Sequence, residues 1–236
     1  MTRLTQLLDR QSKLAITAVL LPLYWLAYSL PNRLTADDAR TLPLTALDRA
    51  VPFVPEAIWV YLPVYVFLIA AFLLPRKAPP NSQAVYAFVS MTLVGVVVHS
   101  VFPTAFERDL YPLGPALDQA SRRSFEFLRS VDTPASCLPS LHVATATLAA
   151  LLHVHESRRR SIAMSGWALA IAVSTLLTKQ HYALDVLAGA ALGLGAYLAF
   201  CEQPAFRSTA QELAPVINRA RVAFRASTRR TTRWHL

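Results

Sequence analysis

Two short strings hold the side chains whose types and spacing could do chemistry. Pro139 to His142 reads P-S-L-H, and Thr178 to Asp185 reads T-K-Q-H-Y-A-L-D. In the second, His181 and Asp185 stand four residues apart, so on a helix they share one face and their side chains can meet. A carboxylate on one imidazole nitrogen sets the tautomer and leaves the other as a neutral nucleophile or base. Asp185 also suits two plainer roles, a helix cap or a partner for Lys179. An ionisable group in an apolar helix is costly enough to favour function. In the first string, Ser140 stands at a helix start, where free backbone N–H groups and the helix dipole attract an anion, although a serine there is also an ordinary N-cap. His142, within the first turn, would face an anion on those amides. Two histidines, a carboxylate and an anion cradle suit phosphate chemistry.

The elements that must position these groups are apolar. Six stretches stand out: Leu14 to Leu30, Ala57 to Leu74, Ala84 to Phe102, Leu138 to Val154, Ile162 to Leu177 and Tyr182 to Cys201. Each is about as long as a bilayer-crossing helix. The 236 residues are 54% hydrophobic and only 16% charged, with a mean hydropathy of +0.37, which suits a polytopic membrane protein better than a soluble domain. The expected fold is all-α, a six-transmembrane-helix bundle over residues 1–201 followed by a basic cytoplasmic tail over 202–236. The first stretch follows Arg3, Arg10 and Lys13 as a signal peptide would, but it runs on through Leu21, Pro22, Leu23, Tyr24 and Trp25 without a small-residue cleavage site, so a retained helix is expected. The loop from Pro103 to Cys137 is too long for a structureless connection, and Ser121 to Val131 has helical spacing, with Phe125 and Leu128 on one side.

Charge sets the expected orientation, because basic residues near helix ends are retained on the cytoplasmic side. With the N-terminus inside, the cytoplasmic segments hold Arg3, Arg10 and Lys13; Arg76 and Lys77; Arg158, Arg159 and Arg160; and seven tail arginines, which is 15 of the 23 basic residues. The external segments keep eight, balanced by nine acids. Both termini are therefore expected in the cytoplasm and the two motifs on the external or periplasmic face, as in a bacterial inner membrane. The net charge of +9 is thus largely topological and is no sign of nucleic-acid binding. The tail could lie on anionic lipid as an amphipathic helix or stay disordered. Cys137 and Cys201 are expected at opposite faces, too far apart for a disulfide, and their spacing points to no metal site. Gly189 and Gly193 form G-x3-G, which suits close helix packing within one chain or in a homodimer. Trp25, Trp59, Tyr61 and Tyr111 fit interfacial anchoring, and His99, His153 and His155 fit helix ends.

The two strings resemble the second and third signature motifs of the type 2 phosphatidic acid phosphatase superfamily, P-S-x-H and S-R-x5-H-x3-D; Ser174, His181 and Asp185 keep the latter spacing. With Asp132, Pro134 and Cys137 before P-S-L-H, the pattern is closer to the branch related to inositol phosphorylceramide and sphingomyelin synthases. The likeness covers roughly residues 102–195. Thr175 stands where an arginine is usual, which leaves Lys179 as a candidate substitute. In place of the usual first motif, Pro103-Thr104-Ala105-Phe106-Glu107-Arg108 resembles the P-T-x3-R of this branch and makes Arg108 a candidate phosphate ligand. Its planar fork of donors suits that role, although a solvated arginine beside Glu107 and Asp109 is the plain alternative.

The resemblance implies a phosphohistidine mechanism without a metal or other cofactor. His181, oriented by Asp185, attacks phosphorus; His142 protonates the leaving oxygen; Arg108, Lys179 and the amides near Ser140 neutralise the phosphoryl oxygens. The substrate would be a phospholipid or other lipid phosphate. Water as acceptor would make a lipid phosphatase, and a lipid or polyol hydroxyl a head-group transferase. A transporter or scaffold that kept the fold without the chemistry is the reading of another class, but no internal repeat of the transporter kind is visible.

Overall fold

The computed structural model describes residues 10–74 and 81–202. The basic tail beyond Glu202, with Arg3, Arg76 and Lys77, lies outside the described residues. The chain is mostly helical: α1 (Arg10–Leu34), α2 (Ala46–Ala50), α3 (Ile58–Tyr61), α4 (Val64–Leu73), α5 (Asn81–Val101), α6 (Gln119–Val131), α7 (Leu141–Leu151), α8 (Arg158–Leu177) and α9 (Ala183–Tyr197). The last of these runs on through a wider π-type turn, Leu198–Glu202.

Among the described residues, three helices are long and apolar enough to cross a membrane: Gln83–Val101, Arg158–Leu177 and Ala183–Glu202. Two other apolar segments, Pro55–Ala70 and Leu141–Leu151, are shorter. The second expected span is divided because Pro63 has no N–H to donate back to the preceding turn, so α3 ends and α4 begins there, with Phe67 N bonding to Pro63 O at 2.9 Å. The fourth is shortened at both ends, by the extended segment before Ser140 and by turns after Leu151.

The short α7 is the hub. It packs on α9 and α8 most extensively, and on α4 and α5. Leu141, Ala144, Leu148 and Leu152 meet Tyr24 of α1, Leu68 of α4, Ala87, Phe88 and Met91 of α5, and Ala196 and Tyr197 of α9. Ala146, Ala149 and Ala150 face Phe67, Met164 and Ile171. Two glycines of α9 make that approach possible, since a Cβ at Gly189 would strike Ser140 O and one at Gly193 would strike Ala144 O. The G-x3-G pair therefore serves packing inside the monomer.

Outward faces carry Leu93 and Val97 on α5, Ile162 and Leu169 on α8, and Leu187 and Leu198 on α9, all exposed. Exposed apolar side chains on all three of these helices suit lipid as solvent. The protein has the build of an integral membrane protein.

One end of the bundle is closed by loops knitted together over large sequence distances. Arg40–Thr41 pairs in parallel with Thr104–Ala105. Asn32 at the end of α1 donates to Thr133 O and Ala135 O at 3.3 and 2.9 Å and accepts from Thr133 N at 3.1 Å. Val54 N bonds to Leu177 O at 2.9 Å. The helix expected near Ser121 forms as α6, begun by the Asp118 carboxylate on Ala120 N and Ser121 N, each at 3.0 Å. It buries Phe125 and Leu128 against Ile58 and Tyr61.

Candidate active site

The loop-closed end brings the two strings together. α8 stops when Lys179 turns into the left-handed region (φ 54°), after which Gln180 N and His181 N both return to Thr175 O at 3.0 and 3.3 Å. This hairpin delivers His181 to the start of α9. Its Nδ1 lies 3.4 Å from Asp185 Oδ2, which also accepts Tyr182 N at 2.8 Å. Asp185 is thus a helix cap and also the imidazole's neighbour. It is fully buried, and Asp185 Oδ1 has no hydrogen-bond partner among the described residues.

Across from it, Ser140 starts α7. Its Oγ accepts Val143 N at 3.3 Å, its N–H donates to Asp185 O at 3.1 Å, and it is completely buried. Ser140 therefore has the capping role that its type allows, and the first turn of α7 is tied to that of α9. His142 faces His181, with 6.4 Å between ring centres. Its other face stacks on Tyr61 at 4.6 Å, with Tyr65 at its edge. Tyr61 is buried, so it is a support for His142 and not the interfacial anchor expected of it.

Arg108 belongs to the same region but enters it tethered. It donates to Asp132 O and to Asp132 Oδ2, each at 2.8 Å, while Tyr28 OH donates to Asp132 Oδ1 at 2.8 Å. Burial alone would lower the guanidinium pKa; the Asp132 carboxylate outweighs this and holds it above its ordinary value. Arg108 Nε is buried with no partner among the described residues, and with two of the five guanidinium N–H groups on Asp132, three donors remain. The charges of Asp185 and Arg108 both reach the Cys137 thiol, which burial, the larger cause, pushes up. Arg108 is therefore no solvated loop arginine.

Lys179 departs from the expected arrangement. Its ammonium donates to Asp48 O at 2.9 Å and Val51 O at 2.6 Å, over the ring of Tyr111. It joins the α2 segment to the loop before His181, and two of its three donors are taken by carbonyls. Nor does it pair with Asp185. Burial lowers its pKa, with Asp48 opposing. Thr175, where an arginine was expected, turns its hydroxyl back to Ala172 O at 2.7 Å and is wholly buried.

Four contributors escaped the sequence reading. Asp48 is buried and its Oδ1 accepts Ala183 N at 2.7 Å, capping the helix that carries Asp185, while Oδ2 accepts Thr45 N and Thr45 Oγ1. Burial opposes its ionisation, but those hydrogen bonds and Lys179 together hold its pKa below the ordinary value. Its partner lies 135 residues away, and only the S/T-x-x-D pattern of a capping box at Thr45 was a signal. Tyr182 donates its hydroxyl proton to Ala105 O at 3.0 Å and accepts Leu42 N at 3.3 Å, fastening the same strap. His99 is fully buried, its Nε2 3.0 Å from Pro139 O, rather than at an interface. Cys137 places its sulfur in a group with His181 and Asp185 in which all three candidate ligand atoms lie within 4.8 Å of one another. Spacing alone had pointed to no such cluster.

Beside Tyr182 lies a cavity of about 500 Å³, walled by Thr41, Leu44, Arg49, Phe106, Glu107 and Leu110 among others. No curated protein and no solved structure matched the chain significantly. A family model described as the PAP2 superfamily matches residues 46–199, from the start of α2 to the π-type turn. That span takes in Asp48, Arg108, Cys137, Ser140, His142, Lys179, His181 and Asp185. With the family's phosphatase-type activity, the match makes this end of the bundle the candidate active site, and the chain belongs to the PAP2 superfamily.

Proposed function

We propose that the protein is an integral-membrane lipid phosphatase or phosphotransferase that works through a phosphohistidine on His181. The observation that carries this reading is the meeting of two imidazoles, 6.4 Å between centres, with the Asp185 carboxylate behind one of them. Asp185 holds the proton on Nδ1 of His181, which leaves Nε2 with the lone pair that attacks phosphorus. His142, set by its stack on Tyr61, gives a proton to the leaving lipid oxygen and then takes one from the acceptor. Arg108 and the first-turn amides of α7 hold the phosphoryl oxygens, where developing charge needs fixed donors. Lys179 adds positive charge and keeps the Asp48 segment against His181. Six spans, cytoplasmic termini and a site on the external face complete this reading. They rest on the charge distribution and on the gathering of all the polar machinery at one end.

A head-group transferase of the inositol phosphorylceramide synthase kind is the second reading. The cavity beside Tyr182 favours it, because Arg49, Glu107 and Thr41 give its wall polar groups that a hydroxylated acceptor could use. Purified protein in detergent, offered a panel of lipid phosphates with and without inositol or ceramide, separates the two. Inorganic phosphate marks hydrolysis, and a head group appearing on the acceptor marks transfer. Excess chelator is expected to leave either activity intact. A panel that gives neither product, with wild type and His181→Ala alike, would favour a non-catalytic transporter or scaffold.

A further inference from the structure

We propose that Cys137, His181 and Asp185 form an inhibitory site for a soft divalent cation such as Zn²⁺ or Cd²⁺. The three side chains come from two loops and one helix, and their ligand atoms lie within 4.8 Å of one another. Thiolate, imidazole and carboxylate are the donors that tetrahedral zinc and cadmium sites use. Bonds of about 2.1 Å to nitrogen and oxygen put those two ligand atoms about 3.4 Å apart in a tetrahedron. His181 Nδ1 and Asp185 Oδ2 stand at 3.4 Å, a long separation for a hydrogen bond and a natural one for two ligands of one ion. The sulfur needs to close by about 1 Å at most to reach its own bond length of about 2.3 Å.

A second observation points the same way. Asp185 Oδ1 is buried without a hydrogen-bond partner among the described residues, an arrangement that is costly for a carboxylate and that a cation relieves. Cys137 Sγ is held near by weak bonds to Pro134 O at 3.2 Å and Gln180 O at 3.8 Å, which a metal bond easily outcompetes. On binding, the thiol proton leaves to solvent and the sulfur becomes a thiolate ligand, while the His181 proton passes from Nδ1 to Nε2, which frees the Nδ1 lone pair for the metal and removes the Nε2 lone pair from the reaction. Three protein ligands leave a fourth position for water, and His181, 6% exposed, gives the route in.

The consequence for the reaction rests on His181 being the nucleophile. A dication on the dyad removes the carboxylate that orients the ring and withdraws electron density from the imidazole, so attack on phosphorus stops. Metal-free enzyme is the active form, and a chelator leaves its activity unchanged or raises it. Cys137 is then a residue through which metal exposure turns the enzyme off.

The test uses purified full-length protein in detergent, titrated with Co²⁺ as a spectroscopic probe. The expected result is a thiolate-to-cobalt charge-transfer band with the visible bands of a tetrahedral ion, present in wild type and in Cys201→Ser and absent in Cys137→Ser. No thiolate band in wild type, or the same band in Cys137→Ser, overturns the site. Should Cys137→Ser fail to fold, His181→Ala keeps the thiol and is expected to bind Co²⁺ at least about ten-fold more weakly; unchanged affinity overturns the proposal. In the activity assay, Zn²⁺ inhibits wild type reversibly, and Cys137→Ser needs at least about ten-fold more Zn²⁺ for the same fractional loss. Equal sensitivity contradicts the inhibitory role. A protein that shows the cobalt band but no turnover with any lipid phosphate refutes the catalytic reading while leaving the metal site standing.

Discussion

Replacing Gly189 with alanine inserts one methyl group where α9 lies against the backbone of α7. That methyl falls within van der Waals contact of Ser140 O, a backbone atom without a rotamer to swing away. Ordinary packing of carbon against such an atom requires the helices to part by about 1 Å at this level. The Ser140 N to Asp185 O bond, now 3.1 Å, then stretches beyond hydrogen-bonding reach. Overpacking of this kind costs about 1–3 kcal/mol, so the unfolding midpoint in detergent should fall by several degrees. The effect on rate should be larger in proportion. His142 is carried by α7 and His181 with Asp185 by α9, and a misplacement of about 1 Å between reacting groups costs about 100-fold in kcat. Gly166, where an added Cβ meets nothing within 4 Å, supplies the control, and Gly166→Ala should behave as wild type. The assay is phosphate release from a lipid phosphate in micelles, beside a thermal melt. A Gly189→Ala protein with wild-type kcat would refute the claim that the α7 and α9 contact sets the distance between the two histidines.

Other outcomes follow from the same geometry. Arg108→Ala should lower kcat/KM by about 100- to 1,000-fold, and Arg108→Lys should recover only part, because an ammonium lacks the planar fork. Arg108→Ala also strands the Asp132 carboxylate, so Arg108→Ala with Asp132→Asn should restore melting temperature and leave kcat/KM low; recovery of both would make Arg108 merely structural. Asp48→Ala removes the cap on Ala183 N and should cost about 0.5–2 kcal/mol at neutral pH. Because the folded protein holds the Asp48 carboxyl below its ordinary value of about 4, its stabilisation is complete above that pH and is lost as pH falls through the lowered value. Wild type should therefore lose more stability than Asp48→Ala on acidification below about pH 4, and parallel curves would contradict the assignment. A topology reporter fused after Arg129 should read as external; a cytoplasmic signal would invert the orientation.

What could be read from sequence was local. The helix start at Ser140 and the amphipathic α6 depend on neighbours within one or two turns and appear where expected, and His181 meets Asp185 four residues on, although from the turn before α9 and not from the helix itself. The six apolar stretches correspond to helical segments, but their lengths depend on Pro63 and on turns that hydropathy averages over. Contacts across the chain were not legible. Asp48 caps α9 from 135 residues away, and Cys137 joins the histidine dyad only because Thr104 O receives its N–H at 3.1 Å. Lys179 illustrates the limit most clearly. Its position beside His181 suggested a phosphate ligand, yet a left-handed backbone and two carbonyls of the α2 segment turn its ammonium elsewhere. Tyr61 likewise had the composition of an interfacial anchor, and only packing shows it to be the platform for His142.

The central claim is that phosphorus passes through His181. Rapid acid-free quenching of the enzyme during turnover of a lipid substrate labelled on phosphorus should trap protein-bound label that survives base and is released by acid, as a phosphoramidate is. The label should map to the peptide containing His181 and vanish in His181→Ala. Turnover without any trapped label, or label and turnover that persist in His181→Ala, would contradict the account.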